Sequence, residues 1–281
     1  MDDAEFIRST RELTERGRRL TERERQSETT AKTLGASIAG TKAGRTSLPT
    51  ISPEKAAELA RLKRERDKAD DEQLRQINSP EHRFRCVVGK AYADCRLANF
   101  RTADEHGQTI QCAVRVLNRL KGIAEHIDEA LKAMRQVVLY GKPGVGKDHL
   151  IAGLLWEFLK AGHLVHWANG ERFAALVRDQ LDYQNKVPDR VWLKQWIDPA
   201  VLVLSDPDGE ATKMHDSVKQ RLYDVVDARI REGKPTWITI NGDNEDHISE
   251  RLGARIYDRL RQSAWVLHCD WQSGRKPRGV E

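Results

Sequence analysis

The chain has 281 residues, enough for one full α/β domain with an arm or for two small domains. Hydrophobic residues make up 39%, charged residues 32% and mean hydropathy is -0.67, and no run approaches the roughly 18 apolar residues that a membrane span needs. The net charge of +5 permits nucleic-acid binding without demanding it, and the mixed-charge start MDDAEFIRSTRELTERGRRL lacks the apolar core of a signal peptide, so a cytoplasmic location and no membrane partner are expected.

Residues 1–28 are dense in charge, with Phe6, Leu13 and Leu20 recurring every seven positions. A helix with so thin an apolar stripe cannot build a core alone; it is either solvated or docks on a partner. Residues 29–51 are rich in Thr, Gly, Ala and Ser and read as a flexible linker. A charged helical segment then occupies 52–80: Ser52 can cap it, Pro53 suits its first turn, and Glu54 complements the helix dipole. It runs to about Ile77, where Asn78-Ser79-Pro80 ends it.

The remaining domain, 81–281, is globular in composition. Its cysteines (Cys86, Cys95, Cys112 and Cys269) form no C-x-x-C pair and read as reduced thiols; Cys86, Cys95, His106 and Cys112 match no common zinc spacing. His163 and His166 lie three apart in an extended run, which sends them to opposite faces and makes them poor chelators. Helical periodicity covers Gln108–Leu120 and Ile123–Met134. Five strand-like runs follow, at Val137–Tyr140, Leu164–Ala168, Val201–Leu204, Thr236–Ile240 and Ala264–His268. They alternate with helices at His149–Ala161, Arg172–Leu181, Asp216–Arg231 and Glu250–Gln262, a pattern that predicts a parallel sheet covered on both faces.

Between the first of these strands and its helix stands GKPGVGKD, matching G-x-x-x-x-G-K with Gly141, Gly146 and Lys147. Glycines let successive backbone N–H groups turn inward around a phosphate, and the helix N-terminus adds positive potential. Lys147 supplies a point charge between the outer phosphates of ATP. Gly141, Lys142, Pro143, Gly144, Val145, Gly146, Lys147, Asp148 and His149 are therefore the expected nucleotide-binding residues. Asp148 stands where Ser or Thr normally offers Mg²⁺ a hydroxyl. A carboxylate there ligates the ion directly or through water, or else lowers nucleotide affinity by its charge.

The apolar run Val201–Leu204 leads through Ser205 to Asp206, the arrangement of a Walker B strand whose acid holds Mg²⁺. The glutamate that usually follows is replaced by Pro207, leaving Asp208 or Glu210 to orient the attacking water, although Pro-Asp-Gly is also a turn in its own right. Asn241, ending TWITIN, is placed to polarise a water or touch the γ-phosphate; Asn-Gly turn chemistry is the alternative. Arg255 and Arg259, four apart, are either arginine fingers or parts of a salt-bridged surface. Trp192 and Trp196, with Lys186, Arg190 and Lys194, read either as a single-strand surface or as packing residues.

From roughly Tyr92 to Trp271 the chain resembles the DnaC/IstB group of AAA+ ATPases, helicase loaders and transposition helpers. The residues that carry this are GKPGVGKDHL (141–150), VLVLSDPDG (201–209), TWITINGD (236–243), LGARIYDRL (252–260) and VLHCDWQSGR (266–275). The resemblance implies an α/β P-loop AAA+ domain, with a parallel five-stranded sheet flanked by helices and no large C-terminal lid, preceded by the N-terminal helical arm. It implies that Asn241 is the sensor-1 residue, Arg259 (ahead of Arg255) the arginine finger and Arg275 a late sensor arginine. ATP and Mg²⁺ are the implied cofactors. The implied partners are single-stranded DNA, a replicative helicase contacted through the N-terminal helices, and further copies of the chain in a nucleotide-dependent homo-oligomer. An IstB-like helper acting on duplex DNA and a nucleotide-gated adaptor with little hydrolysis are the alternatives.

Overall fold

The computed structural model describes residues 52–182, 187–207 and 214–274. Residues 1–51, including the expected N-terminal helix and linker, lie outside that set, as do Lys186, Asp208, Glu210 and Arg275. The chain divides into two units, residues 1–66 and 67–281. Helix α1 (Pro53–Ile77) begins in the first unit, where the Lys55 N–H donates to Ser52 Oγ at 3.4 Å, the cap expected from sequence.

In the second unit α2 (Pro80–Val88) starts on Ser79, whose Oγ accepts from the His82 N–H at 3.1 Å, and buries Phe84 and Val88. Two single turns (Lys90–Tyr92 and Leu97–Asn99), α3 (Gln111–Glu125) and α4 (Ile127–Lys132) lead to the sheet. The strands are β1 (Gln136–Gly141), β2 (Val165–Asn169), β3 (Val201–Ser205), β4 (Thr236–Asn241) and β5 (Ala264–Cys269), all parallel in the order β2-β3-β4-β1-β5. Between them run α5 (Lys147–Lys160), α6 (Gly170–Leu181), α7 (Asp189–Ile197), α8 (Asp216–Arg231), α9 (Glu245–Leu252) and α10 (Ala254–Arg261).

Strand alternation divides the core in two. Val137, Leu139, Val201, Val203 and Trp237 face the cluster built from α2, α3 and α5. Val138, Leu202, Leu204, Ile238 and Ile240 face the cluster built from α6 to α10. Helix α5 is buried almost all round, as expected of a helix held between a sheet and a further layer. His163 and His166 go to opposite faces, the first against Phe158 and the second against Trp196. Trp192 and Trp196 are both packing residues, 4% and 0% exposed, so they form no stacking surface.

Three helix boundaries differ from the periodicity reading. The helix expected over Glu250–Gln262 is two helices, because Gly253 takes φ +93, a backbone state that side-chain-bearing residues rarely adopt. Helix α9 begins earlier, at Glu245, capped by Asn244, whose Oδ1 accepts from the His247 N–H at 2.8 Å. The break between α3 and α4 falls at His126 rather than between Leu120 and Ile123.

Buried His166 has its pKa lowered to about 4, first by desolvation and then by the positive charges of Arg172 and Arg229. The unfolded chain protonates this ring near 6.5 and the folded chain resists it. Stability is therefore fully present above about pH 6.5 and declines toward pH 4, by up to about 3 kcal/mol. Urea melts across that range are expected to give a flatter pH profile for His166→Leu than for the wild type; parallel profiles would refute the assignment.

Candidate nucleotide site

The site lies at the carboxyl ends of β1, β3 and β4, where parallel sheets leave a crevice for ligands. Residues Gly141–Gly146 turn from β1 into α5. The stretch after β5 closes over this loop: Trp271 Nε1 donates to Val145 O at 2.8 Å and the Gly274 N–H to Gly144 O at 3.3 Å. Phe100 packs edge-on against Trp271 and His149, ring centroids 6.1 and 5.4 Å away. His149 Nε2 meets Arg96 O at 3.1 Å and Asn99 Oδ1 at 2.9 Å, so its ring is engaged by the turn at Leu97–Asn99.

Lys147 is 6% exposed, with its Nζ 3.1 Å from Gly141 O, 3.0 Å from Lys142 O and 2.8 Å from Asn241 Oδ1. The β1–β4 register sets Asn241 beside Gly141, which brings the asparagine and the loop together. Asn241 then donates twice to the Asp206 carboxylate, from its backbone N–H at 3.1 Å and from Nδ2 at 2.8 Å. Ammonium, amide and carboxylate thus form a continuous hydrogen-bonded line. Asp206 is held at φ +43, just past the end of β3, where its own N–H donates to Thr239 O at 2.8 Å. Its turn is seated against the first residue of α6: a Cβ at Gly170 would collide with the Asp206 carbonyl oxygen and come within 2.8 Å of the Pro207 carbonyl carbon.

Asp148 follows Lys147 on α5. Its Oδ1 accepts from Ser205 Oγ at 2.8 Å and Thr239 Oγ1 at 2.6 Å, and its Oδ2 from the Tyr92 hydroxyl at 3.0 Å. Among the described residues no three His, Cys, Asp or Glu side chains converge on one point. The groups around Asp148 are all hard oxygens, the kind that magnesium takes together with phosphate oxygens and water.

The candidate finger arginines lie elsewhere. Arg259 Nη2 pairs with Asp227 Oδ1 at 3.2 Å, a carboxylate that Arg231 also engages, and the Arg255 guanidinium stacks 4.5 Å from the Tyr223 ring centroid. Both therefore rest on α8. Sequence reasoning did not single out Tyr92, Ser205 or Thr239; their hydroxyls carry no motif of their own.

The five-stranded order, the glycine-rich loop after β1 and the acid and asparagine at the ends of β3 and β4 are those of the AAA+ P-loop fold. No family model matches the chain. It is 26% identical to the replicative helicase loader DnaC of Escherichia coli (strain K12) over 193 residues, 68% of this chain and 73% of that protein. The crystal structure of the DnaC helicase loader superposes with a TM-score of 0.54 at 19% identity, over 64% of this chain and 99% of that one. The replication initiator DnaA bound to AMPPCP and single-stranded DNA gives 0.52 at 15% identity, over 66% and 51% respectively. Within that fold the chain is similar in sequence to DnaC. No described helix is long and apolar enough to cross a membrane.

Proposed function

We propose that this protein is an ATP-dependent loader that delivers a replicative helicase to single-stranded DNA. The reading is carried by the Lys147–Asn241–Asp206 line at the mouth of a parallel sheet, in a chain similar to DnaC. The amides of Gly141–Asp148 and the Lys147 ammonium grip the polyphosphate of ATP, while Asn241 joins the ammonium to an acid able to orient a water. Asp148 contributes to a magnesium site; the ion, when bound, neutralises charge on the outer phosphates. Asp206 or Asp208 orients the attacking water. Arg259, ahead of Arg255, reaches the nucleotide of a neighbouring copy by exchanging Asp227 for a phosphate. Arg275 serves as a late sensor, and the N-terminal helices contact the helicase. Action on replicating DNA places the protein in the cytoplasm.

A second reading, a nucleotide-gated adaptor with little hydrolysis, is favoured by Asp148 in place of a hydroxyl and Pro207 after Asp206. The test is to purify the protein with ATP, with ADP and without nucleotide, add DNA, and follow assembly, phosphate release and capture of the host's replicative helicase. ATP-dependent assembly on single strands, weakened by salt, and a helicase complex are expected. Absence of any helicase complex under every nucleotide condition sinks the loader reading. Preference for duplex DNA points to a transposition helper, and turnover no faster than that of Lys147→Ala points to the adaptor.

A further inference from the structure

Magnesium in P-loop NTPases is held by a hydroxyl from the residue after the loop lysine and a carboxylate from the neighbouring strand. In this protein the residue after the lysine is Asp148 and the last residue of β3 is Ser205. The two are in direct contact, Ser205 Oγ to Asp148 Oδ1 at 2.8 Å. Ser205 also has the placement required of the strand's ligand. It shares the α5 side of β3 with Val201 and Val203, is 5% exposed and ends the strand. Asp206 lies one residue further on, past the strand, with its carboxylate against Asn241.

We propose that the hydroxyl–carboxylate pair for magnesium has been exchanged between the two motifs. Asp148 supplies the carboxylate from the helix and Ser205 the hydroxyl from the strand. Asp206 is thereby not a metal ligand; it stands directly after the strand's ligand, where the water-orienting carboxylate of the usual acid–glutamate pair stands. The inference deepens the nucleotide-site reading and rests on it.

Charge and geometry both support the exchange. One metal-holding carboxylate and one water-orienting carboxylate is the usual inventory, so Asp148 adds no negative charge beyond it, and Pro207 displaces no catalytic residue. The Asp148 carboxylate is also preorganised. Thr239, register partner of Ser205 across β3 and β4, donates to the same oxygen as Ser205, and Tyr92 holds the other oxygen from outside the sheet.

The experiment measures AMPPCP affinity by calorimetry with magnesium and with EDTA, together with ATP turnover. It uses the wild type, Asp148→Asn, Asp148→Ser, Ser205→Asp, the double variant Asp148→Ser/Ser205→Asp, and Asp206→Asn. Each single change at 148 or 205 is expected to shrink the magnesium-to-EDTA affinity ratio about tenfold or more. The double variant, which restores the usual order, is expected to return within about threefold of wild type. Asp206→Asn is expected to keep the ratio while turnover falls at least about tenfold. The exchange is overturned if Asp206→Asn collapses the ratio while Asp148→Asn spares it. It is equally overturned if the double variant, folded by circular dichroism, is no better than the worse single. A wild type that binds AMPPCP in neither condition removes the nucleotide site itself, an outcome distinct from both.

Discussion

Lys147→Ala is expected to weaken AMPPCP binding and to slow ATP turnover, each by a factor on the order of 10² or more, read by calorimetry and phosphate release. The ammonium is nearly buried and spans the loop, meeting carbonyls at Gly141 and Lys142 and the side-chain amide of Asn241. Alanine removes the loop's nearly buried ammonium, which the nucleotide-site reading directs at the outer phosphates, and also cuts the line from the loop to Asp206. The loop's backbone amides remain, so residual weak binding is compatible with the assignment. Wild-type affinity together with wild-type turnover is not.

The second large effect lies at the opposite end of the strands. Arg229 is fully buried, and burial pushes its pKa down to about 9, still charged at neutral pH. Its guanidinium reaches the carbonyls of Trp196 (2.8 Å), Ile197 (3.2 Å), Pro199 (2.9 Å), Ala200 (3.3 Å) and Pro235 (2.6 Å), and Thr236 Oγ1 at 3.1 Å. The carbonyls precede β3 and β4 and Thr236 opens β4, so a single side chain on α8 gathers the entries of two central strands. Arg229→Met would fill much of the volume and leave most of those acceptors without a donor. The expected loss is about 3–5 kcal/mol of unfolding free energy by urea titration, with nucleotide affinity of the folded fraction unchanged. A melting temperature within about 2 °C of wild type would refute the role.

Most of the fold was legible in the sequence because its signals are local. Apolar runs of four or five residues between amphipathic stretches marked the five strands, and GKPGVGKD marked the loop. The two-helix ending was missed although Gly253 and Asn244 both signal it; the apolar spacing continues across the glycine and hides the break. The site was legible only in part. Lys147, Asn241 and Asp206 each belong to a motif and meet in space. The hydroxyls that hold Asp148 come from Tyr92, Ser205 and Thr239, at separations of 56, 57 and 91 residues, and no pattern along the chain links them. Arg229 was invisible for a related reason. One basic residue among several on an amphipathic helix reads as solvated until the carbonyls around it are seen.

The seat of Asp206 on α6 also affects how this protein should be mutagenised. Its turn abuts bare main chain, and the room it occupies exists because position 170 carries no side chain. A scan that truncates side chains would pass over that position without testing it. Enlarging it by a single methyl group would instead displace the carboxylate from Asn241 and disturb the chemistry from a residue that offers no functional group.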